Sequence, residues 1–478
     1  MVSWNEEADM NEISKKRDGI RRGLGSEDRP LTVDLWAKDS QTPSAAMLES
    51  GNYEPNYQQV DYTRYYSPEY AKLEFEKLFA KTWQIACRDE DIPEIGDRVP
   101  VDIGPLSFFV IRSGADEFKA FYNACLHRGT RLCNKAGSGG EIRCPYHAWE
   151  WSVDGRLKRI PSHWDFPEVT LRNGGLPEVR LGRWGGFIFI CADKDAPSLE
   201  EALSVIPAHF KEFQPERRYT RARFRKLLGA NWKVSQEAFQ ESYHIIGTHP
   251  EGIPFNGDSQ SQYEIYRTAH GHIGREIVPS AIPSMHAPAS ATAFEATFAT
   301  AFLAKSWHYP EFPLPELDPA KDLRAQLGDW MRAAYKDAYH RDSGQPDSAM
   351  IDSTLYFMFP NFAVWLSELI PFVYKFTPHE SDPNKSYFEV RLLMPYPEDA
   401  PRPAAAPCVE IGIDENIVEK APEFNFLSVI FDQDMGNMPL IQAGVKAADP
   451  SRHHSTLGAY QEMIIQHWHE TLDEYLAK

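Results

Sequence analysis

The sequence predicts an α+β protein in two unequal parts: a small all-β domain, then a larger domain with an antiparallel sheet flanked by helices. Three observations predict it. Between residues 84 and 195, β-rich runs such as VDIGPLSFFVIRSG, FKAFYNA and GRWGGFIFICAD alternate with Gly or Asp punctuation. Residues 356–365, 371–377 and 386–394 are aromatic-rich runs of strand character. Around these strands, apolar residues recur at helical spacing, as in Tyr460, Ile464, Trp468 and Leu472.

Taken in order, residues 1–65 are polar and mixed in charge, an arm expected to pack on the larger domain or on a neighbouring subunit. Residues 66–195 form the small domain with a leading helix, SPEYAKLEFEKLFAKTW, which opens with a Ser-Pro start. Residues 196–478 form the larger domain. Near its beginning, Ser198 followed by Glu200 and Glu201 reads as a helix start. The segment LLGANWKVSQEAFQESYHIIGTHP reads as a strand end entering a helix, and the Pro-rich stretch 395–407 as an exposed loop.

Composition removes several function classes. The chain has 478 residues, of which 42% are apolar, enough for a large core, and its net charge of −19 argues against a nucleic-acid or anionic-membrane surface. Six cysteines (Cys87, Cys125, Cys133, Cys144, Cys191 and Cys408) are too sparse for a disulfide framework. MVSWNEEADM is no secretory signal, and no apolar run approaches the ~20 residues of a membrane span. The expected compartment is the reducing cytoplasm, where thiolates are available to metals.

Two constellations carry chemistry. In the first, Cys125-Leu-His127 and Cys144-Pro-Tyr-His147 are separated by sixteen residues. A metal-free reading suits isolated Cys/His pairs better than two matched pairs. Structural zinc usually pairs Cys with Cys and His with His. Each half here offers one thiolate and one imidazole, the division of labour in a Rieske [2Fe–2S] cluster, where two thiolates hold one iron and two imidazoles the other. In the second, His244 and His249 follow Glu237 and Glu241. Five helical steps turn ~140° beyond one full turn, so a shared metal requires the helix to end or distort between the histidines, and Gly247 is the expected break. Two imidazoles and one carboxylate form the facial triad of non-haem Fe(II) oxygenases.

C-x-H-R-G…C-P-Y-H-x-W resembles the signature of the Rieske non-haem iron oxygenases, large (alpha) subunits of the aromatic-ring-hydroxylating dioxygenase type. N-W-K…E-x-F…E-x-x-H-x4-H-P resembles their mononuclear iron segment. The resemblance implies Cys125, His127, Cys144 and His147 as ligands of a [2Fe–2S] Rieske cluster, with Arg128 and Gly129 shaping one loop and Pro145, Tyr146 and Trp149 shielding it. It implies His244 and His249 as Fe(II) ligands and Glu241 as a carboxylate bridging toward a neighbouring subunit's cluster. In the D-x-x-N-M stretch it implies Asp434 as third ligand, with Asp432 as runner-up. Ala238 stands where the family often has Asn. Glu241 replaces the common Asp, as in the branch that oxidises quaternary amines. Cys133 is expected to be a buried loop thiol, His163 an ordinary loop residue, and His453, His454, His467 and His469 solvated or core-edge residues. Most of Tyr356, Phe357, Phe359, Phe362 and Trp365 are expected in the core, a few on an apolar cavity.

These expectations add up to a terminal oxygenase component acting with O2 on an apolar, aromatic small molecule. The alternatives are a monooxygenase or demethylase acting on a quaternary amine or ether and, more remotely, a Rieske electron carrier. No G-x-G-x-x-G lies in a strand–turn–helix context. Electrons are therefore expected from a separate NAD(P)H-dependent reductase, with or without a ferredoxin, and the resemblance implies a homotrimer or an α3β3 assembly.

Overall fold

A computed structural model describes residues 32–52, 59–268 and 271–478. Much of the arm, residues 1–65, lies outside the described residues. What is described packs on the larger domain: Trp36 Nε1 donates to Asp352 Oδ2 at 2.9 Å, and Asn52 makes an isolated bridge to Ile265.

The small domain is three short antiparallel sheets. β1 (Gln84–Arg88), β8 (Arg180–Trp184) and β9 (Phe187–Cys191) form one, in the order β1-β9-β8. β2 (Arg98–Ile103), β3 (Leu106–Gly114) and β4 (Glu117–Tyr122) form the second, and β5 (Glu141–Arg143), β6 (Glu150–Ser152) and β7 (Leu157–Arg159) the third. Phe109, Phe121, Trp149 and Trp151 pack between them around Cys125 and Cys144. The leading helix α1 (Pro68–Glu74) is capped by Ser67, whose hydroxyl accepts from Tyr70 N at 3.1 Å, and it widens into a π turn over Phe75–Phe79. Gly104, at φ +55° in the β2–β3 turn, leaves room for the Phe75 ring, which any β-carbon there would overlap.

The larger domain is built on one eight-stranded sheet. Its strands are β10 (Arg218–Leu228), β11 (Gln262–Thr268), β12 (Gly271–Val278), β13 (Ser353–Met358), β14 (Phe362–Leu366), β15 (Phe372–Pro378), β16 (Ser386–Pro395) and β17 (Val409–Ile411). Their order is β11-β12-β13-β14-β15-β16-β10-β17, antiparallel except for the β10–β17 pair. β10 shows why it is a strand: Arg218, Thr220, Ala222, Phe224, Lys226 and Leu228 are buried, at the period of two that a pleated backbone imposes. Residues 356–365 are two strands rather than one. The chain reverses at Phe359-Pro360-Asn361, and the Asn361 amide donates to Phe376 O at 2.7 Å. Aromatic side chains dominate the core beneath: Phe224, Phe372, Tyr374, Phe388 and Phe431 interlock.

Helices cover this sheet: α2 (Leu199–Leu203), α3 (Trp232–Glu237), α4 (Ile245–Thr248), α5 (Ala293–His308), α6 (Leu323–Tyr339), α7 (Phe426–Ala447) and α8 (Met463–Ala477). Ser198 and Glu201 form the capping box of α2. On α8, His467 and His469 are buried, not solvated; the helix is covered on both flanks, and His469 Nε2 meets Glu237 Oε1 at 2.8 Å. No described helix is long and apolar enough to cross a membrane.

Trp468 ties three elements together. It is 1% exposed, its indole N–H donates to Pro360 O at 2.8 Å, and its ring lies 5.3 Å from Trp232 on α3. Trp468→Ala should cost about 3–5 kcal/mol in urea unfolding. A loss below about 1 kcal/mol would show that α8 does not anchor α3.

Candidate metal centres

The first centre sits on two matching loops. After β4, Asn123 fastens loop one: its Oδ1 accepts from Leu132 N at 3.0 Å and Cys133 N at 2.8 Å, and its Nδ2 donates to Cys133 O at 2.7 Å. Gly129 N donates to Cys125 O at 2.9 Å, and Ala148 N donates to Cys144 O at 3.1 Å. Gly129 and Ala148 both have positive φ, +74° and +55°, which turns each loop back on itself. The amides of His127 and Arg128 aim at the Cys125 sulfur, and those of Tyr146 and His147 at the Cys144 sulfur. Such paired N–H groups form a nest for negative charge.

The sulfurs are buried beside each other, while the imidazoles lie toward solvent. His127 Nδ1 and His147 Nδ1 face each other at 3.1 Å. Desolvation, His127 and Arg128 hold His147 below its usual pKa, so it is neutral, as a ligand must be. Trp149 stacks flat on His127 at 5.3 Å, and the Tyr146 ring lies 3.8 Å from His147. Two buried thiols on one side and two imidazoles on the other fit a cluster with one sulfur-bound and one nitrogen-bound iron. Cys133 stays outside: its thiol donates to Lys135 O at 3.4 Å. His163 is exposed in a single 3-10 turn, His163–Asp165, with Nε2 at 2.7 Å from Val169 O.

The second centre forms where α3, α4 and α7 converge. α3 ends at Glu237, and a single turn, α4, starts after His244 and stops before His249. The break therefore precedes His244. Gly247 lies inside the turn, contrary to the sequence expectation, because a lone turn flanked by the two histidines already aims both rings the same way. Asp434 comes from α7, 3% exposed. Its Oδ1 lies 2.9 Å from His249 Nε2 and 3.5 Å from His244 Nε2, and the three ligand atoms lie within 4.8 Å of one another. Asp432 is elsewhere: its carboxylate accepts from Ile417 N at 2.8 Å and Val418 N at 3.0 Å. His453 lies 3.1 Å from the Tyr66 hydroxyl, and His454 lies 3.2 Å from Ser455 O, both away from the centre.

The outer nitrogens are fixed as well. Glu241 Oε1 lies 2.7 Å from His244 Nδ1, and its Oε2 accepts from His244 N at 2.9 Å. Gln433 Oε1 lies 2.7 Å from His249 Nδ1, and its amide donates to Glu251 Oε1 at 2.6 Å. Gln433 carries no ligand signature in the sequence; only its place beside Asp434 marks it. Burial opposes charge on His244, but Asp434 and Glu241 raise its pKa to about 10. Burial likewise opposes charge on Asp434, yet the two histidines hold it below the usual carboxylate range. A buried carboxylate facing two imidazoles suits a divalent metal, which would supply the positive charge that burial denies it.

A cavity of about 160 Å³ opens onto this centre, walled by Phe239, Trp365, Phe372, Tyr374 and Phe431. Trp365 thus lines it, whereas Tyr356, Phe357, Phe359 and Phe362 are core residues. Glu276 on β12 also lines it. Burial, then the charge of Glu241, pushes the Glu276 pKa up to about 8.

Two family descriptions match the chain: Rieske [2Fe-2S] domain over residues 82–170, and ring hydroxylating alpha subunit (catalytic domain) over residues 210–478. The glycine betaine monooxygenase oxygenase subunit of Pseudomonas aeruginosa is 30% identical over 38% of this chain and 42% of its own length. The carnitine monooxygenase oxygenase subunit of Escherichia coli is 32% identical over 44% and 56%. The anthranilate 1,2-dioxygenase large subunit of Acinetobacter baylyi is 32% identical over 38% and 40%. These matches span about half of the curated relatives' length. The fold is shared with the quaternary ammonium Rieske monooxygenase CntA (TM-score 0.59, 16% identity, 88% of this chain and 96% of that one). It is shared equally with naphthalene 1,2-dioxygenase with indole bound (TM-score 0.59, 17% identity, 90% and 95%).

An acid whose folded-state pKa exceeds its unfolded value keeps its proton on folding. Its contribution to stability is full below the unfolded value of 4.5 and is lost as pH rises toward about 8. In metal-free protein, Glu276→Gln should flatten the stability profile between about pH 5.5 and about pH 7.5, by up to about 1.4 kcal/mol per pH unit. Parallel urea profiles for the two proteins would show Glu276 ionised throughout.

Proposed function

As the chain belongs to the ring-hydroxylating alpha subunits of the Rieske oxygenases, we propose that it is the terminal oxygenase component of an O2-dependent system. It adds oxygen to a small, mostly apolar molecule about the size of one aromatic ring. The observation that carries this reading is the convergence of His244, His249 and Asp434 on the wall of an aromatic cavity. An engineered cavity of ~150 Å³ takes up benzene, so the space here suits one ring better than several fused ones.

Cys125, His127, Cys144 and His147 would hold the [2Fe–2S] cluster, and His244, His249 and Asp434 would hold Fe(II). Bound there, the two groups supply one-electron transfer and an iron with open positions for O2. Glu241 and Gln433 keep the Nδ1 protons of His244 and His249, so both Nε2 atoms stay free to ligate. The aromatic walls exclude bulk water and orient the substrate. The edge of the first centre is exposed and apolar, with Leu126 and Tyr146 on the solvent side. That favours docking against a second subunit, with Glu241 bridging its second centre to the neighbour's cluster in a trimer, with or without β subunits. A separate NAD(P)H-dependent reductase, directly or through a ferredoxin, delivers the electrons.

A second reading is N-demethylation or hydroxylation of a quaternary amine. Glu at position 241 favours it, as does the likeness to the betaine and carnitine enzymes.

Purified protein should contain two cluster irons and one further iron per chain, and should consume O2 when a surrogate reductase and substrate are present. His244→Ala should remove the further iron and the O2 uptake while leaving the cluster absorption intact. Glu241→Gln should keep all iron and slow turnover about 10–100-fold. A colourless zinc protein would refute the reading, and so would unchanged O2 uptake in His244→Ala.

A further inference from the structure

The cavity at the second centre has a chemical bias that the metal ligands do not explain. Glu276 reaches it from β12, on the same strand face as Val278. The side chain is 3% exposed, and its Oε1 has no hydrogen-bond partner. The carboxyl adjoins the hydroxyls of Ser242 and Tyr263, which already bond to each other at 2.8 Å. A buried, unpartnered carboxyl oxygen is costly unless something else meets it. Asn256, also on the cavity, leaves its Oδ1 acceptor unpartnered too. Asn256 leaves an acceptor open, and a cation bound beside Glu276 would take the place of the proton that burial holds on its carboxyl. Among the described residues lining the cavity there is no Lys or Arg to provide one.

The remaining walls fit the same occupant. Trp365 and Tyr374 offer ring faces, which attract a cationic nitrogen, the more so away from water. A carboxylate would meet Glu276, Glu241 and Asp434, while the two imidazoles on the wall, His244 and His249, are already turned to Asp434.

We propose that Glu276 is a specificity-determining residue that selects substrates carrying a positively charged nitrogen and no carboxylate. This rests on the oxygenase reading of the site and narrows it. Betaine and carnitine, the compounds named for two relatives, each carry a carboxylate, which would meet the acidic side chains Glu276, Glu241 and Asp434 on this wall.

The test is binding without turnover. Calorimetry on the full chain would compare three one-ring probes: benzylammonium, benzyl alcohol and benzoate. The wild type is expected to bind benzylammonium at least about 10-fold more tightly than benzoate. Glu276→Gln should lose at least about 10-fold in benzylammonium affinity and keep its benzyl alcohol affinity within about 2-fold. Retained benzyl alcohol binding shows that the variant still forms the cavity. Glu276→Asp, which keeps an ionisable carboxyl, should restore part of the preference. Benzoate binding as tightly as benzylammonium would overturn the proposal. So would an unchanged benzylammonium affinity in Glu276→Gln, or no binding of any probe. Oxygen uptake judges the oxygenase reading separately, so selective binding with no uptake would sink that reading and leave the selectivity of Glu276 standing.

Discussion

Asp434 is a carboxylate buried in an aromatic core, and much of the larger domain can be understood as the supply of partners for that one charge. An isolated buried carboxylate would take up a proton. Here two imidazoles converge on it, and each is held from behind, His244 by Glu241 and His249 by Gln433. Asp434 and Gln433 are neighbours on α7, so this one helix contributes both a candidate ligand and a ligand's support. The lone turn α4 between the histidines then sets their spacing. The eight-stranded sheet and α8 keep these pieces in place through Trp232 and Trp468.

The small domain depends on a related constraint. Its buried sulfurs need hydrogen bonds, which come from backbone amides in two loops that bend at Gly129 and Ala148. Charged contacts then join the two domains. Asp91 accepts from Arg223 and Arg391 of the large sheet at 2.8 Å each, and Glu90 accepts from Thr220 N at 2.9 Å. Arg88 donates to Pro215 O and Arg218 O. Buried pairs of this kind add little net stability over apolar packing but are costly to break singly. Their effect is to hold the cluster loops at one orientation to the sheet.

Much of this was legible in the residues, and the rest was not for definable reasons. Matched Cys/His pairs advertise themselves, because few other arrangements need a thiolate and an imidazole in each of two adjacent loops. His244 and His249 became informative only beside that first centre. Gly247 misled, because glycine usually ends helices, yet here the helix had already ended at Glu237. The sequence leaves His469 between solvated and core-edge, because nothing in a single sequence announces that a C-terminal helix is covered on both flanks. Gln433, Ala148 and Glu276 were invisible. An amide, an alanine with positive φ and a glutamate on a distant strand acquire meaning only from neighbours that the fold brings to them.

The most direct measurement is the iron content of Asp434→Ala against the wild type, with the absorption of the cluster as an internal reference. If Asp434 completes the second centre, the variant loses the iron beyond the two of the cluster, and the cluster spectrum is unchanged. If the variant keeps its full iron and its O2 uptake, the buried carboxylate is not a ligand, and the account of the larger domain built on it is wrong.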